Sequence, residues 1–230
     1  MDSAHQDPAQ VELYWLPLGA GGGAGCVRWN GRIFEAIAAR QQRRPRCDLY
    51  HSALLVRLGA DRYAIEMAPA WGNTERDRGV VGEGPVGLPW LGRSRFFRYE
   101  IRRWRGGTIP DIADAVASPQ RLDTDVVRTG RLLDLVPAFP AATWGRDELQ
   151  AGEMWNSNSL TAWLLARSGH QAGAVRPPAR GRAPGWSAGL AVAAGHTAEA
   201  CLADHGWPTL LATWALSAAS ARAAATRYGR

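Results

Sequence analysis

Apolar and polar residues alternate most regularly from Leu49 to Met67, in the stretch LYHSALLVRLGADRYAIEM. Two apolar rows flank a glycine–alanine turn, with an apolar residue at every second position: Leu54, Val56 and Leu58 before it, and Tyr63, Ile65 and Met67 after it. This is the period of a β-strand with one buried face. The pattern therefore predicts a β-hairpin. If Val56 lies opposite Tyr63, the two apolar rows share one face of the hairpin, and His51 lies on the other face with Glu66 diagonal to it.

Other segments carry shorter periodic patterns. We expect strands over 11–18 and 95–105, a Gly/Pro-rich loop over 69–95, and helices over 32–44, 109–119, 124–137 and from the serine run near 157 to Gly169. On the second strand, Arg98, Glu100 and Arg102 are expected to point outward. This order of elements predicts an α+β fold in which helices pack on an antiparallel sheet. We expect one domain over 1–230, with its core over about 11–170 and a Pro/Arg/Gly wrap plus Ala-rich helices over 171–230.

Composition narrows the class of protein. The 230 residues are 46% hydrophobic and 21% charged, which is typical of a folded globular chain. All 27 basic residues are arginine, so the net charge of +6 reflects codon bias as much as function. Cys26, Cys47 and Cys201 are widely spaced and lack a C-x-x-C pair, which predicts neither a disulfide framework nor a zinc site. We therefore expect no metal and no cofactor.

The two ends of the sequence bear on location and partners. The first ten residues carry acids and no apolar run, so no signal peptide is predicted and a cytoplasmic location is expected. The apolar stretch over 207–225 is interrupted by Arg222 and falls short of the roughly 20 apolar residues of a membrane span. The basic run over 40–46 has no interleaved aromatic residues, which argues against nucleic acid as a partner.

The run N-S-N-S over 156–159 directly precedes an apolar, helix-like stretch. Serine and asparagine are preferred at helix N-caps, so the simpler interpretation makes Ser157 or Asn158 a cap and nothing more. A serine at a helix N-terminus is also well placed for nucleophilic attack, because the helix dipole and unpaired N–H groups stabilise a developing oxyanion. Ser157 and Ser159 are both candidate nucleophiles, since the sequence does not distinguish them.

A serine nucleophile requires a general base. Of the five histidines, His51 alone lies on a clearly patterned strand, and Glu66 is placed to orient its imidazole. The simpler interpretation makes His51 a hairpin residue that is hydrogen-bonded to a backbone carbonyl.

These residues together resemble the circularly permuted papain-like proteins, which include NlpC-type and lecithin-retinol-acyltransferase-like members. The resemblance consists of a strand histidine in LYHSALLV, a polar residue on the paired strand, and a later N-S-N-S run where the family has N-C-N-[ST]. It implies a permuted papain-like fold with His51 as the base, Glu66 as the orienting residue and Ser157 in the position of the catalytic cysteine. Asn156, Asn158 and Ser159 match the surrounding motif.

The resemblance implies a hydrolase or acyltransferase that acts on an amide or ester bond of a small-molecule, peptide or acyl substrate. Serine, unlike a thiolate, needs its proton removed during attack. The alternative is therefore a catalytically inactive papain-like module that binds a peptide, glycan or protein partner. A third hypothesis is an arginine-rich nucleic-acid binder. The candidate substrate-binding residues are Asn156, Asn158, Trp71 and Trp155.

Overall fold

The computed structural model of the protein describes residues 8–18, 35, 39–40, 43–70 and 77–195. These residues form a β-sheet with helices packed on one face. The strands are β1 (Ala9–Pro17), β2 (Asp48–Leu58), β3 (Asp61–Pro69), β4 (Val80–Pro85), β5 (Arg98–Arg105), β6 (Gln120–Asp123) and β7 (Gly181–Arg182). The helices are α1 (Val126–Leu135), α2 (Ser157–Ser168) and α3 (Trp186–Ala193).

Six strands form one antiparallel sheet in the order β4-β5-β3-β2-β1-β6. The two-residue β7 pairs in parallel with the start of β2. The α+β class and the antiparallel sheet predicted from the sequence are therefore confirmed.

The hairpin of β2 and β3 has the register that the alternation predicts. Val56 lies opposite Tyr63, and Gly59 occupies the turn with a φ of +61°, a backbone conformation that favours glycine. This register fixes which strand residues share a face. His51 and Glu66 accordingly lie on one face of the sheet, and Val56 and Tyr63 on the other.

The helices cover the face that carries the apolar rows. Leu54 and Ile65 from the hairpin belong to one buried cluster with Leu160 and Leu164 of α2. A smaller buried cluster lies on the opposite face of the sheet, with Tyr14, Leu16, Ala53, Ala64 and Ile109. Both faces of the central strands are therefore buried, although only one of them contacts α2.

The second face also buries charged side chains that were expected to point outward. Glu100 is 3% exposed and Arg102 is 2% exposed, so the prediction for these two residues is wrong. Arg102 donates to Glu66 at 2.7 Å and to Glu100 at 3.0 Å, and Arg78 also forms an ion pair with Glu100. Burial raises the pKa of Glu100, but hydrogen bonds from Arg78 and Arg102 outweigh it and hold the pKa below its ordinary value. Mutual pairing makes this burial tolerable.

Three strands occur where the sequence pattern predicted none: β4, β6 and the two-residue β7, which lies in the predicted Pro/Arg/Gly wrap. The predicted helix over 109–119 is only a single 3-10 turn at Ile112–Asp114, and β6 follows it beside β1. The predicted loop over 69–95 contains β4, whose two glycines hide any alternation. A Cβ atom on Gly84 would lie within 2.6 Å of the Tyr99 ring, so the close approach of β4 to β5 requires glycine there.

The two remaining predicted helices agree with the structure. α1 begins after Asp125, whose side chain accepts the N–H of Arg128 at 2.8 Å, and helical backbone ends near Pro137 as expected. α2 stops at Gly169, which has a φ of 90°. Most of the predicted helix over 32–44 and the Ala-rich segment after 195 lie outside the described residues. In the described ranges, no helix combines the length and apolarity needed to cross a membrane.

The buried charges give a prediction about stability. Replacing Arg102 with Met leaves Glu66 uncompensated in a buried position and should lower the free energy of unfolding by about 3–5 kcal/mol. Arg105 on the same strand is 69% exposed where it pairs with Asp61, so Arg105→Met is the matched control and should change stability little. Urea unfolding of both variants measures the difference. Equal stability of the two variants would contradict the role given to the buried network.

Candidate functional site

The N-S-N-S run forms the start of α2 through a reciprocal cap. Asn156 is the N-cap residue, and its side-chain oxygen accepts the N–H groups of Asn158 at 2.9 Å and Ser159 at 3.3 Å. The Ser159 hydroxyl accepts the Asn156 N–H at 3.1 Å in return. The cap is therefore Asn156, and not Ser157 or Asn158 as the sequence suggested. The sequence did not identify the cap because three neighbouring residues in the run all have cap-forming side chains.

Ser159 is committed to packing. It is fully buried, and its hydroxyl donates to the carbonyl of Gly185 at 2.8 Å. α3 crosses so closely here that a Cβ atom on Gly189 would lie 2.4 Å from the Ser159 carbonyl oxygen. The side chain of Ser159 therefore joins the start of α2 to α3, and this leaves Ser157 as the better placed of the two serines.

Asn158 joins the start of α2 to the sheet. Its side-chain amide donates to the carbonyl of Tyr50 at 2.9 Å, although the two residues are 108 positions apart in the chain. The same amide donates to the carbonyl of Pro184 at 2.9 Å. The strand segment around His51 and the N-S-N-S run, predicted from sequence to converge, are thus held together by a buried hydrogen bond.

This contact lies where β2 lacks a partner strand on one side. β3 pairs with β2 only from Leu54 to Leu58, and β7 only at Asp48 and Leu49. Among the described strands, residues 50–53 therefore have β1 as their sole neighbour, and we call this stretch the β2 opening. The amide of Asn158 takes the place that a strand N–H group would fill at the Tyr50 carbonyl.

Two buried polar atoms beside the β2 opening make no hydrogen bond, the Ser52 hydroxyl and the side-chain oxygen of Asn158. Ser52 is 1% exposed and lies opposite Trp15 on the helix-bearing face. Sequence reasoning did not select Ser52. The sequence signal that could have identified Ser52 was its polar side chain in the otherwise apolar row that continues with Leu54 and Val56. The β2 opening is therefore more polar than the apolar row predicts.

Ser157 presents two groups that are not engaged elsewhere. Neither its hydroxyl nor its backbone N–H forms a hydrogen bond with another described residue, and the residue is 4% exposed. The N-cap side chain of Asn156 satisfies the second and third N–H groups of α2 and leaves the first one open. A hydroxyl next to an open N–H at the positive end of a helix is the arrangement that acyl transfer requires.

His51 lies at the β2 opening with a neutral imidazole. It lies opposite Leu16 of β1, whose side chain belongs to the smaller buried cluster. Strand alternation therefore directs the His51 ring to the face of the sheet opposite α2. Its ring forms no hydrogen bond or ion pair with any other residue of the described part, including the two serines. Burial lowers the pKa of His51 to about 4. The histidine and Ser157 therefore approach the β2 opening from opposite faces of the sheet.

Glu66 is not placed to orient His51. It shares the face of His51, as the register predicts, but its carboxylate binds Arg102 at 2.7 Å. Burial raises the pKa of Glu66, while the Arg102 guanidinium acts in the opposite direction. The structure thus joins Asn158 to the strand residue next to His51, leaves Ser157 and His51 on opposite faces of the sheet, and holds Glu66 in the buried charge network.

Neither of the two tryptophans predicted to bind substrate, Trp155 and Trp71, is seen at the candidate site in the described part of the chain. Trp155 is 1% exposed, stacks on Phe139 with ring centroids 4.7 Å apart, and donates to the Pro140 carbonyl at 2.9 Å. Its indole belongs to the core and offers no surface to a ligand. Trp71 lies outside the described residues. No group of three or more His, Cys, Asp and Glu side chains within the described ranges is arranged to hold a metal ion.

A serine–histidine–aspartate contact that does not involve Ser157 or His51 occurs at the end of α2. The Ser168 hydroxyl lies 2.7 Å from Nδ1 of His170, and Nε2 of that ring lies 3.6 Å from a carboxylate oxygen of Asp123. Ser168 is 1% exposed and donates its proton to the Leu164 carbonyl at 2.7 Å. Unlike the Ser157 hydroxyl, the Ser168 hydroxyl is therefore already engaged by the backbone, and the contact stabilises the helix end. Burial lowers the pKa of His170.

Comparisons with known proteins assign no family to this chain. No protein-family model matches it, and neither the curated proteins nor the solved structures contain a significant match. The site is therefore interpreted from its own geometry.

The neutral state of His51 gives a prediction about pH. Because the pKa is about 4 in the folded protein against 6.5 in the unfolded chain, the unfolded state binds the proton more tightly. Stability is therefore full above pH 6.5 and declines as the pH falls towards 4. Urea unfolding at pH 7 and at pH 4.5 should show this loss, and the loss should be about 2 kcal/mol smaller in His51→Asn. An equal loss in both proteins would mean that the ring is not desolvated.

Proposed function

We propose that the protein is a papain-like hydrolase or acyltransferase that uses a Ser157–His51 pair on an amide or ester bond. One observation carries the proposal: the hydrogen bond from Asn158 to the Tyr50 carbonyl fixes the start of α2 at the β2 opening, one residue from His51. At that point Ser157 has an unengaged hydroxyl and an unengaged N–H.

In the proposed reaction, the Ser157 hydroxyl oxygen attacks the carbonyl carbon of the substrate while His51 takes the hydroxyl proton. The oxyanion that forms accepts a hydrogen bond from the Ser157 N–H. His51 then returns the proton to the departing amine or alcohol, and an acyl-serine remains. Water releases a carboxylic acid from this intermediate, or a second nucleophile receives the acyl group. The His51 ring lies on the face of the sheet opposite α2, so the chemistry requires it to turn through the β2 opening. Its ring nitrogen and the Ser157 hydroxyl must come within about 3 Å when substrate binds.

The pair differs from a serine–histidine–aspartate triad in having no carboxylate on the histidine. Glu66 pairs with Arg102 and makes no hydrogen bond to the imidazole among the described contacts, so it does not favour the charged form of His51. His51 is consequently a weak base with a low pKa. We expect kcat/KM to keep its value down to mildly acidic pH and to fall only near pH 4, because that is where His51 becomes protonated in the free protein.

The second candidate is a catalytically inactive module that binds a peptide, glycan or protein partner at the β2 opening. The observation that favours it is the lack of any hydrogen bond between His51 and Ser157 among the described contacts. The two candidates share one site and differ in whether Ser157 forms a covalent intermediate.

Labelling with a fluorophosphonate distinguishes the two candidates. We expect one adduct per chain on Ser157 in the wild type, and none in Ser157→Ala or His51→Ala, because attack on phosphorus needs both hydroxyl and base. Ser187→Ala is the matched control, since Ser187 is an exposed serine in the first turn of α3 and should leave labelling unchanged. Intact-mass spectrometry measures the adduct. Labelling that survives in Ser157→Ala would refute the proposed nucleophile.

If the fluorophosphonate does not label the protein, a thiol variant shows whether the site is inactive or the probe does not fit it. Ser157→Cys places at the start of α2 the nucleophile that the resembling family uses, and it should react with iodoacetamide in addition to the cysteines of the wild type. Adding His51→Ala should slow this extra reaction, because the imidazole no longer accepts the thiol proton. If the fluorophosphonate fails and the thiol reacts equally with and without His51, the site is a binding module.

A further inference from the structure

The connection between β4 and β5 exposes an unusual set of side chains. It spans 86–97 and consists mainly of two 3-10 turns, Pro89–Arg93 and Arg95–Phe97, neither of which contains a buried residue. Four large apolar side chains within it are exposed: Leu88 by 38%, Trp90 by 65%, Phe96 by 74% and Phe97 by 43%. We call the stretch over 86–97 the aromatic loop.

Such a cluster calls for a physical reason. Single exposed apolar side chains are common on protein surfaces, but a contiguous group of large ones usually marks a contact site. Trp90 and Phe96 belong to the residue types that bury the most area when they do pack. The aromatic loop therefore exposes to water the types of side chain whose burial is most favourable.

The charges of the aromatic loop are all of one sign. Arg93 and Arg95 are exposed and form no ion pair with any residue in the described ranges, and the sequence over 86–97 contains no Asp or Glu. The nearest acid along the preceding strand, Glu83, is already paired with Arg98 at 3.1 Å. The loop therefore combines an apolar tip with positive charge that is not compensated within it.

The shape of the aromatic loop is fixed by internal contacts. Arg98 donates from Nε to the carbonyl of Gly92 at 2.6 Å, and a Cβ atom on Gly92 would lie 2.8 Å from the side chain of Pro85. The turn is thus held against the end of β4. A preformed loop loses little conformational entropy when it binds, so its apolar tip is ready to dock.

We propose that the aromatic loop docks on an anionic lipid surface. Tryptophan and phenylalanine side chains insert at the boundary between headgroups and acyl chains, while arginine guanidinium groups bind lipid phosphates. A stable protein partner would require about 800 Å², or roughly 20–30 residues, from this side, which is more than a loop of a dozen residues supplies. This inference is independent of the chemistry at Ser157 and adds a site of attachment to the protein.

Vesicle co-sedimentation of the full chain tests the proposal. Vesicles of equal parts phosphatidylcholine and phosphatidylglycerol should bind the protein, and vesicles of phosphatidylcholine alone should bind it more weakly. The variant Trp90→Ser/Phe96→Ser should lose roughly tenfold or more in partitioning. The variant Arg93→Gln/Arg95→Gln should lose roughly thirtyfold on the anionic vesicles and little on the neutral ones.

A control variant replaces one exposed apolar side chain and one exposed arginine outside the aromatic loop. Val127 is 78% exposed and Arg131 is exposed on α1, so Val127→Ser/Arg131→Gln should partition like the wild type. Ser157→Ala should also partition normally, which separates this test from that of the catalytic proposal. Circular dichroism and a urea midpoint establish that each variant is folded.

Three outcomes would overturn the proposal. The first is that no vesicle binds the full chain at low salt. The second is that binding persists unchanged in both loop variants, which would assign it to another part of the chain. The third is a concentration-dependent dimer that loop substitutions abolish without any lipid binding, which would make the aromatic loop a contact between two copies.

Discussion

The hydrogen bond from the Asn158 side chain to the Tyr50 carbonyl is the contact on which the arrangement of the site depends. It connects the start of α2 to the only stretch of β2 that has β1 as its sole strand neighbour among the described elements. The same amide reaches Pro184, so α3 is positioned by the same side chain. A buried carbonyl that loses its donor costs about 1–3 kcal/mol. This cost applies to the Tyr50 carbonyl, because the Pro184 carbonyl also accepts from the Asn156 side chain at 2.8 Å. The fold and the proposed chemistry therefore depend on the same residue.

The buried charges on the opposite face set a second constraint. Arg102 lies between Glu66 and Glu100, and Glu66 in particular requires it, because Glu100 is also paired with Arg78 and an unpaired buried charge is costly. Glu66 is consequently unavailable to His51, whose ring stays neutral with a pKa of about 4. Because the buried charge network uses Glu66, the proposed chemistry is limited to a serine–histidine pair without a carboxylate. An enzyme of this kind would be slow but tolerant of acid.

Much of the fold follows from local pattern. The register of β2 and β3 was predictable because alternation on both strands admits one pairing that buries both apolar rows, and α2 ends at Gly169 because glycine readily adopts positive φ. The burial of Glu100 and Arg102 was not predictable, since alternation assigns a face but does not say whether other residues cover it. β4 and β6 were missed because neither carries a strand period.

The candidate site was predictable in its location and less so in its roles. Sequence reasoning predicted that the stretch around His51 meets the N-S-N-S run, and the structure joins them through Asn158. It did not separate Ser157 from Ser159, because that depends on the contact of Ser159 with Gly185 in a distant segment. Nor did it find the partner of Glu66, since an arginine 36 positions away on another strand decides it.

Replacing Asn158 with Ala tests the central claim most directly. We predict that the free energy of unfolding falls by about 1–3 kcal/mol, because the Tyr50 carbonyl loses the Asn158 donor, and that Ser157 no longer reacts with a fluorophosphonate. Unfolding and Ser157 labelling that both match the wild type would contradict the account, because the start of α2 would then be held at the sheet by something other than this hydrogen bond.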